Sequence, residues 1–153
     1  MTNRISEVKT SLKIMERVNL NIKYYNDYER GFLLLAYLMM MTDNVKKGEE
    51  YLIKVTEINI AQGKIIFKII VKAYDLIGMI KERQKSFQDA CVNYEKAWDY
   101  SNKSNANIGY KLAVSYLNSR QNVKAINICN EIKRKFKQYP IDELANQAKN
   151  TLN

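Results

Sequence analysis

The sequence predicts an all-α solenoid of about three helix pairs, with a leading helix before them and a C-terminal capping helix after them. Three observations predict it. Apolar residues recur at three- and four-residue spacing almost throughout. Only five Gly and one Pro interrupt the 153 residues, which disfavours both disorder and a loop-rich β fold. One small-small-large spacing also occurs three times, the last two copies 35 residues apart.

The elements follow in order. A leading helix is expected at about residues 4–19, where Arg4, Glu7, Lys9, Lys13, Glu16 and Arg17 alternate with apolar residues. Three repeat units are expected at about 29–60, 71–104 and 106–138, and the capping helix at about 141–152. Polar breaks near Asp43-Asn44, Gln62-Gly63, Gln84 to Ser86, Asn102 to Asn105, Arg120 to Asn122 and Tyr139-Pro140 divide the chain into helices. Breaks this short imply antiparallel neighbours. Ser86 with Asp89 three residues on reads as a capping box, and Pro140 suits the first turn of the last helix, Ile141 to Leu152. Residues Ile65 to Val71 would read as a strand out of context, but a lone strand would have no partner.

The repeat supplies a packing rule. Gly78, Ala90, Tyr94 and Ala97 are spaced by 12, 4 and 3; Ala113, Ala125, Cys129 and Ile132 keep that spacing, as do Ala36, Gly48, Leu52 and Val55. Small residues at the first two positions let the helices of a hairpin approach closely, and larger residues at the third fill space toward the next hairpin. Phe32 and Leu35, Tyr74 and Ile77, and Leu112 with Tyr116 complete the first helices.

This pattern resembles the tetratricopeptide repeat, which places an aromatic, Leu and Gly on its first helix and Ala, an aromatic and Ala on its second. Tyr74, Ile77, Gly78, Ala90, Tyr94 and Ala97 match it best; Asn102 replaces the usual Pro at the repeat end, and Cys129 and Ile132 are degenerate. Lys72-Ala73-Tyr74, Asn93 to Trp98, Tyr100-Ser101-Asn102 and Gly109 to Ala113 further resemble the C-terminal repeats of the tetratricopeptide repeat protein 21 family, the large subunit of intraflagellar transport complex A. Phe32 to Ala36 fits the same family, which usually has Trp-Leu-Leu-Leu-Ala there. The resemblance implies a right-handed α-α superhelix and a scaffold subunit in retrograde ciliary transport. It further implies other complex A subunits as partners, a place in the cytoplasm and cilium, and neither catalytic residues nor a cofactor. Family members are far longer, so the resemblance is to a fragment of such a subunit. A generic cytosolic tetratricopeptide adaptor is the alternative, and a basic helical RNA-binding protein a more distant one.

Ala36 and Gly78 are 42 residues apart, about eight more than a standard repeat, and removing Lys64 to Val71 restores the register. These eight residues read either as an apolar extension of the second unit's first helix or as translated intron. Sequencing the mature transcript across Gly63 to Lys72 separates the two.

Composition narrows the chemistry. The absence of His removes the usual general base near neutral pH, His-based triads and His-containing zinc sites. Cys91 and Cys129 have no metal-ligand spacing and read as core residues of a reducing compartment. The longest apolar run, Gly31 to Met41, is short of the ~20 residues that span a bilayer, and Met1 to Asn19 lacks the apolar stretch of a signal peptide. No membrane insertion is expected. The formal charge is +9, with lysines spread among acids. The densest run, Lys133 to Lys137, falls at a predicted helix end, where cations complement the helix dipole. No nucleic-acid binding is expected from it.

Candidate partner-binding residues are the non-core positions of each first helix, which lines the concave surface in such solenoids. They are Arg30, Leu33, Tyr37 and Met40, then Lys72, Asp75, Met79 and Glu82, then Asn107, Tyr110, Val114 and Leu117. Leu33, Asp75 and Tyr110, with Tyr37, Met79 and Val114, stand where chaperone-binding members carry the Lys and Asn of a carboxylate clamp, so a clamp is not expected. An apolar groove of this kind packs against a helix, its own or a partner's. Trp98 reads as inter-repeat packing ahead of a partner anchor, and Glu49-Glu50 and Asp142-Glu143 as solvated or capping carboxylates. Asn102-Lys103-Ser104 fits a glycosylation sequon but carries no weight without a secretory signal.

Overall fold

The computed structural model describes residues 45–61 and 67–152, and every regular element among them is an α-helix. These are α1 (Val45–Ala61), α2 (Phe67–Arg83), α3 (Phe87–Tyr100), α4 (Ala106–Asn118), α5 (Asn122–Lys135) and α6 (Asp142–Asn150). The chain divides within α2 into two compact units, Met1–Leu76 and Ile77–Asn153. The expected leading helix at 4–19 and the first helix of the first repeat pair, Ala36 included, lie outside the described residues.

In the first unit α1 buries Gly48, Tyr51, Leu52 and Thr56, whose spacing of three and four defines one helical face. The start of α2 buries Ile69, Ile70, Ala73, Tyr74 and Leu76. Phe67 to Val71 is therefore helix, although its composition alone suggests a strand. Intrinsic preference amounts to less than ~1 kcal/mol per residue, and burial of Ile69 and Ile70 outweighs it.

In the second unit α3 packs on α4, α4 on α5 and α5 on α6, and α6 also reaches α4. The repeated small positions, Gly78, Ala90, Ala113 and Ala125, are all buried, as are Tyr94, Ala97, Cys129 and Ile132. Gly78 brings α2 directly onto the Tyr94 ring of α3, and Gly109 on α4 admits Trp98 from α3 and Ile132 from α5. Each large side chain so buried contributes roughly 1.5–3 kcal/mol.

The turns repeat with the core. At the end of α2 the Ser86 N–H donates to Lys81 O and the Lys85 N–H to Glu82 O, both at 2.9 Å, with Lys85 at φ 59°. Thirty-five positions on, the Gln121 N–H donates to Tyr116 O (2.8 Å) and the Arg120 N–H to Leu117 O (3.0 Å), with Arg120 at φ 61°. Both are Schellman endings in which a left-handed residue satisfies the last carbonyls. The expected capping box fails for the same reason. The Ser86 N–H is committed to Lys81, so Asp89 cannot accept it, and the Ser86 hydroxyl donates instead to Asp89 Oδ2 at 2.7 Å. Asn105 does cap α4, its side chain accepting from the Ile108 N–H at 3.3 Å.

Pro140 is likewise displaced from its expected place. Ile141, 1% exposed, is the N-cap and α6 begins at Asp142, so Pro140 precedes the cap rather than occupying the first turn. Helix α6 buries Leu144, Ala145 and Ala148 with the N-cap Ile141 and exposes Asp142, Glu143, Asn146, Gln147, Lys149 and Asn150. A polar outer face suits the last helix of a repeat stack.

Candidate protein-docking face

Among the expected contact residues, Arg30, Leu33, Tyr37 and Met40 lie outside the described residues. Lys72 and Asp75 belong to the first unit. Lys72 is half-exposed, Asp75 is only 5% exposed, and their charged atoms are 3.8 Å apart one helical turn along α2. Asp75 is thus a core carboxylate rather than an open contact.

The second unit brings the others onto two helices. Met79 and Glu82 come from the last turns of α2, and Asn107, Tyr110, Val114 and Leu117 from α4, where three- and four-residue steps keep them in one stripe. Met79, Val114 and Leu117 are half-buried and Tyr110 is 39% exposed. Lys111 Nζ reaches Met79 Sδ at 3.7 Å and ties the α4 stripe to α2.

Two of these positions are already occupied by the chain itself. Glu82 Oε2 accepts from the Tyr94 hydroxyl of α3 at 3.0 Å. Asn107 Oδ1 accepts from the Tyr139 hydroxyl at 2.7 Å, and the Tyr139 and Tyr110 rings lie 6.3 Å apart at 58°. Burial, with a smaller contribution from Tyr110, raises the Tyr139 phenol above its ordinary value. The connection between α5 and α6 therefore closes one end of the α4 stripe. Sequence reasoning missed both Tyr139 and Lys111, because neither follows the repeat spacing. What remains open is Met79, Tyr110, Val114 and Leu117, an apolar strip with a phenol at its edge.

Outside this face, Trp98 is 2% exposed against Gly109 and is an inter-repeat packing residue; its indole N–H has no hydrogen-bond partner. The Tyr116 hydroxyl donates to Glu95, and Lys124 Nζ lies 4.0 Å from Glu95 and 5.4 Å from the Tyr116 ring centre. This clasp joins α3, α4 and α5. Burial and the Glu95 carboxylate push the Tyr116 phenol far above its ordinary value of 10.0. Cys91 and Cys129 are buried free thiols, and burial raises both. Glu50 pairs with Lys47 at 3.3 Å and Asp142 with Lys133 at 2.7 Å. Among the described residues no three Cys, Asp or Glu side chains are grouped to hold a metal ion, and no helix is long and apolar enough to cross a membrane.

Residues 1–143 match the family described as the tetratricopeptide repeat protein 21 C-terminal ARM domain. Tetratricopeptide repeat protein 21A of Homo sapiens is 32% identical over 151 residues, 97% of this chain and 11% of its own length. Tetratricopeptide repeat protein 21B of Homo sapiens is 32% identical over 132 residues, 86% of this chain and 9% of its own. The tetratricopeptide repeat protein 21 homolog of Caenorhabditis elegans is 27% identical over 143 residues, 92% and 10% respectively. The chain thus spans about a tenth of the length of these relatives. Armadillo and tetratricopeptide arrays both bury a core between stacked helices, as the register from Gly78 to Ile132 does here. On its sequence and on that register, the chain belongs to the tetratricopeptide repeat protein 21 family and corresponds to its C-terminal ARM domain.

Proposed function

We propose that this chain is the protein-binding C-terminal part of a scaffold subunit, resembling that of intraflagellar transport complex A, and that it serves retrograde transport in the cytoplasm and cilium. Its partners are other protein subunits and it performs no catalysis. The supporting observation is the open strip of Met79, Tyr110, Val114 and Leu117 on α2 and α4 of a family member, beside which Glu82 and Asn107 are engaged within the fold. Such a strip accepts the apolar face of a partner helix.

Affinity purification of the tagged chain from ciliated cells tests the proposal. Complex A subunits should co-purify in a largely salt-insensitive manner, and Leu117→Glu or Tyr110→Ala should deplete them. Recovery of partners from outside cilia would point to a generic adaptor, and steeply salt-dependent oligonucleotide capture to a basic binder.

A further inference from the structure

The positive charge of this chain is segregated. Residues 77–102 hold four basic and four acidic side chains, whereas residues 103–153 hold nine basic against three acidic, which is +6 of the chain's +9. Part of that excess is used internally. Lys133 Nζ lies 2.7 Å from Asp142, Lys103 Nζ lies 3.2 Å from Glu131, and Lys124 lies 4.0 Å from Glu95.

Around the end of α5 the excess is not used. Arg134, Lys135 and Lys137 are exposed, and none forms an ion pair among the described residues; Lys135 Nζ donates only to the Lys103 carbonyl at 3.1 Å. The helix terminus offsets roughly half a charge, so most of the three remains. Lys135 and Lys137 border an open cleft of about 620 Å³ whose apolar walls are Phe136, Tyr139 and Pro140. Phe136 and Tyr139 are half-buried, and Tyr139 is held by Asn107, so the walls are set before anything binds.

We propose that this cleft docks a short acidic segment of a protein partner, its carboxylates on Lys135 and Lys137 and one apolar side chain between Phe136, Tyr139 and Pro140. Paired Glu131 and Asp142, with Glu143 beside them, flank the basic group and confine it to a patch. A nucleic-acid backbone or an anionic bilayer requires a longer uninterrupted basic track. The apolar walls supply an anchor that neither would fill. This site adjoins the α2 and α4 strip where Tyr139 meets Tyr110, shares no residue with it and does not depend on a ciliary role.

The test uses the 153-residue chain and a short fluorescein-labelled peptide of alternating Glu and Gly with one central Phe. The peptide should bind, and Lys135→Glu with Lys137→Glu should weaken it about tenfold or more. Arg120→Glu with Lys149→Glu changes net charge equally at the other end of α5, about 20 Å away along the helix, where the Asn122 side chain bonds Thr151 O. This control should weaken binding less than about threefold. Replacing the peptide's Phe by Ser should also weaken it. Equal losses for the two double variants, indifference to the Phe, no binding, or tighter binding of poly-uridine RNA or phosphatidylserine vesicles would each overturn the proposal.

Discussion

Gly78 and Tyr94 occupy complementary space: a Cβ on Gly78 would lie 2.6 Å from Cδ1 and Cε1 of the Tyr94 ring. The ring is fully buried and its hydroxyl is bound to Glu82, so it has nowhere to move. One repeat later the same two positions hold Ala113 and Cys129, so a larger first residue accompanies a smaller third.

Gly78→Ala should therefore destabilise the protein, against the usual trend for a helical glycine. Overpacking costs ~1–3 kcal/mol while helix propensity returns only ~1, leaving a net loss of up to about 2. Ala90→Leu, at a fully buried position of α3, should lose ~1–3 kcal/mol. Urea denaturation measures both, and unchanged midpoints would contradict the packing described.

The two matched left-handed residues predict the opposite sign. A side chain at φ near 60° costs ~1–2 kcal/mol, of which glycine's greater freedom when unfolded cancels part, so Lys85→Gly and Arg120→Gly should each stabilise by about 0.5–1 kcal/mol. Asn102, at φ 53°, tolerates this region better, and Asn102→Gly should stabilise less. Thermal denaturation of the three variants ranks them.

Alkaline pH should destabilise the chain. Cys91 and Cys129 are raised above 9.0 and Tyr116 above 10.0, and each is neutral when protonated. The folded state therefore holds these protons more tightly than the unfolded state. Their stabilising contribution is complete below pH 9 and is lost progressively as pH rises beyond it. Denaturation midpoints between neutral pH and strongly alkaline pH should fall, and Tyr116→Phe should flatten the part of the fall beyond pH 10.

Residues 64–71 can be tested in the protein as well as in the transcript. Deleting them removes Ile69 and Ile70, 8% and 0% exposed, from the first unit. A structural extension predicts a loss of several kcal/mol, ~2–5 for each large aliphatic side chain removed. A shortened chain at least as stable as the full one would favour translated intron.

Much of this architecture was legible because it depends on local spacing. A 12, 4, 3 ruler of small and large side chains states which helix faces meet, and Gly78, Ala90, Ala113 and Ala125 are buried at those meetings. Cys129 was readable as core for the same reason, Cys91 from the lack of any metal-ligand spacing, and Trp98 from its place beside Ala97. The candidate face was legible only in part, since Met79, Tyr110, Val114 and Leu117 are accessible while Asp75, Glu82 and Asn107 are drawn into contacts within the fold.

The sequence by itself determined the helical class, the repeat register and the family, because the class follows from apolar periodicity, the register from the order of small and large residues, and the family from particular runs such as Asn93 to Trp98. Tertiary structure alone decided that Ser86 closes α2 rather than boxing α3, that Tyr139 folds over Asn107 and Tyr110, and that Lys133 is neutralised while Lys135 and Lys137 are not. Each of these outcomes is a competition among several groups for one donor or one charge, and periodicity does not record which competitor comes within reach.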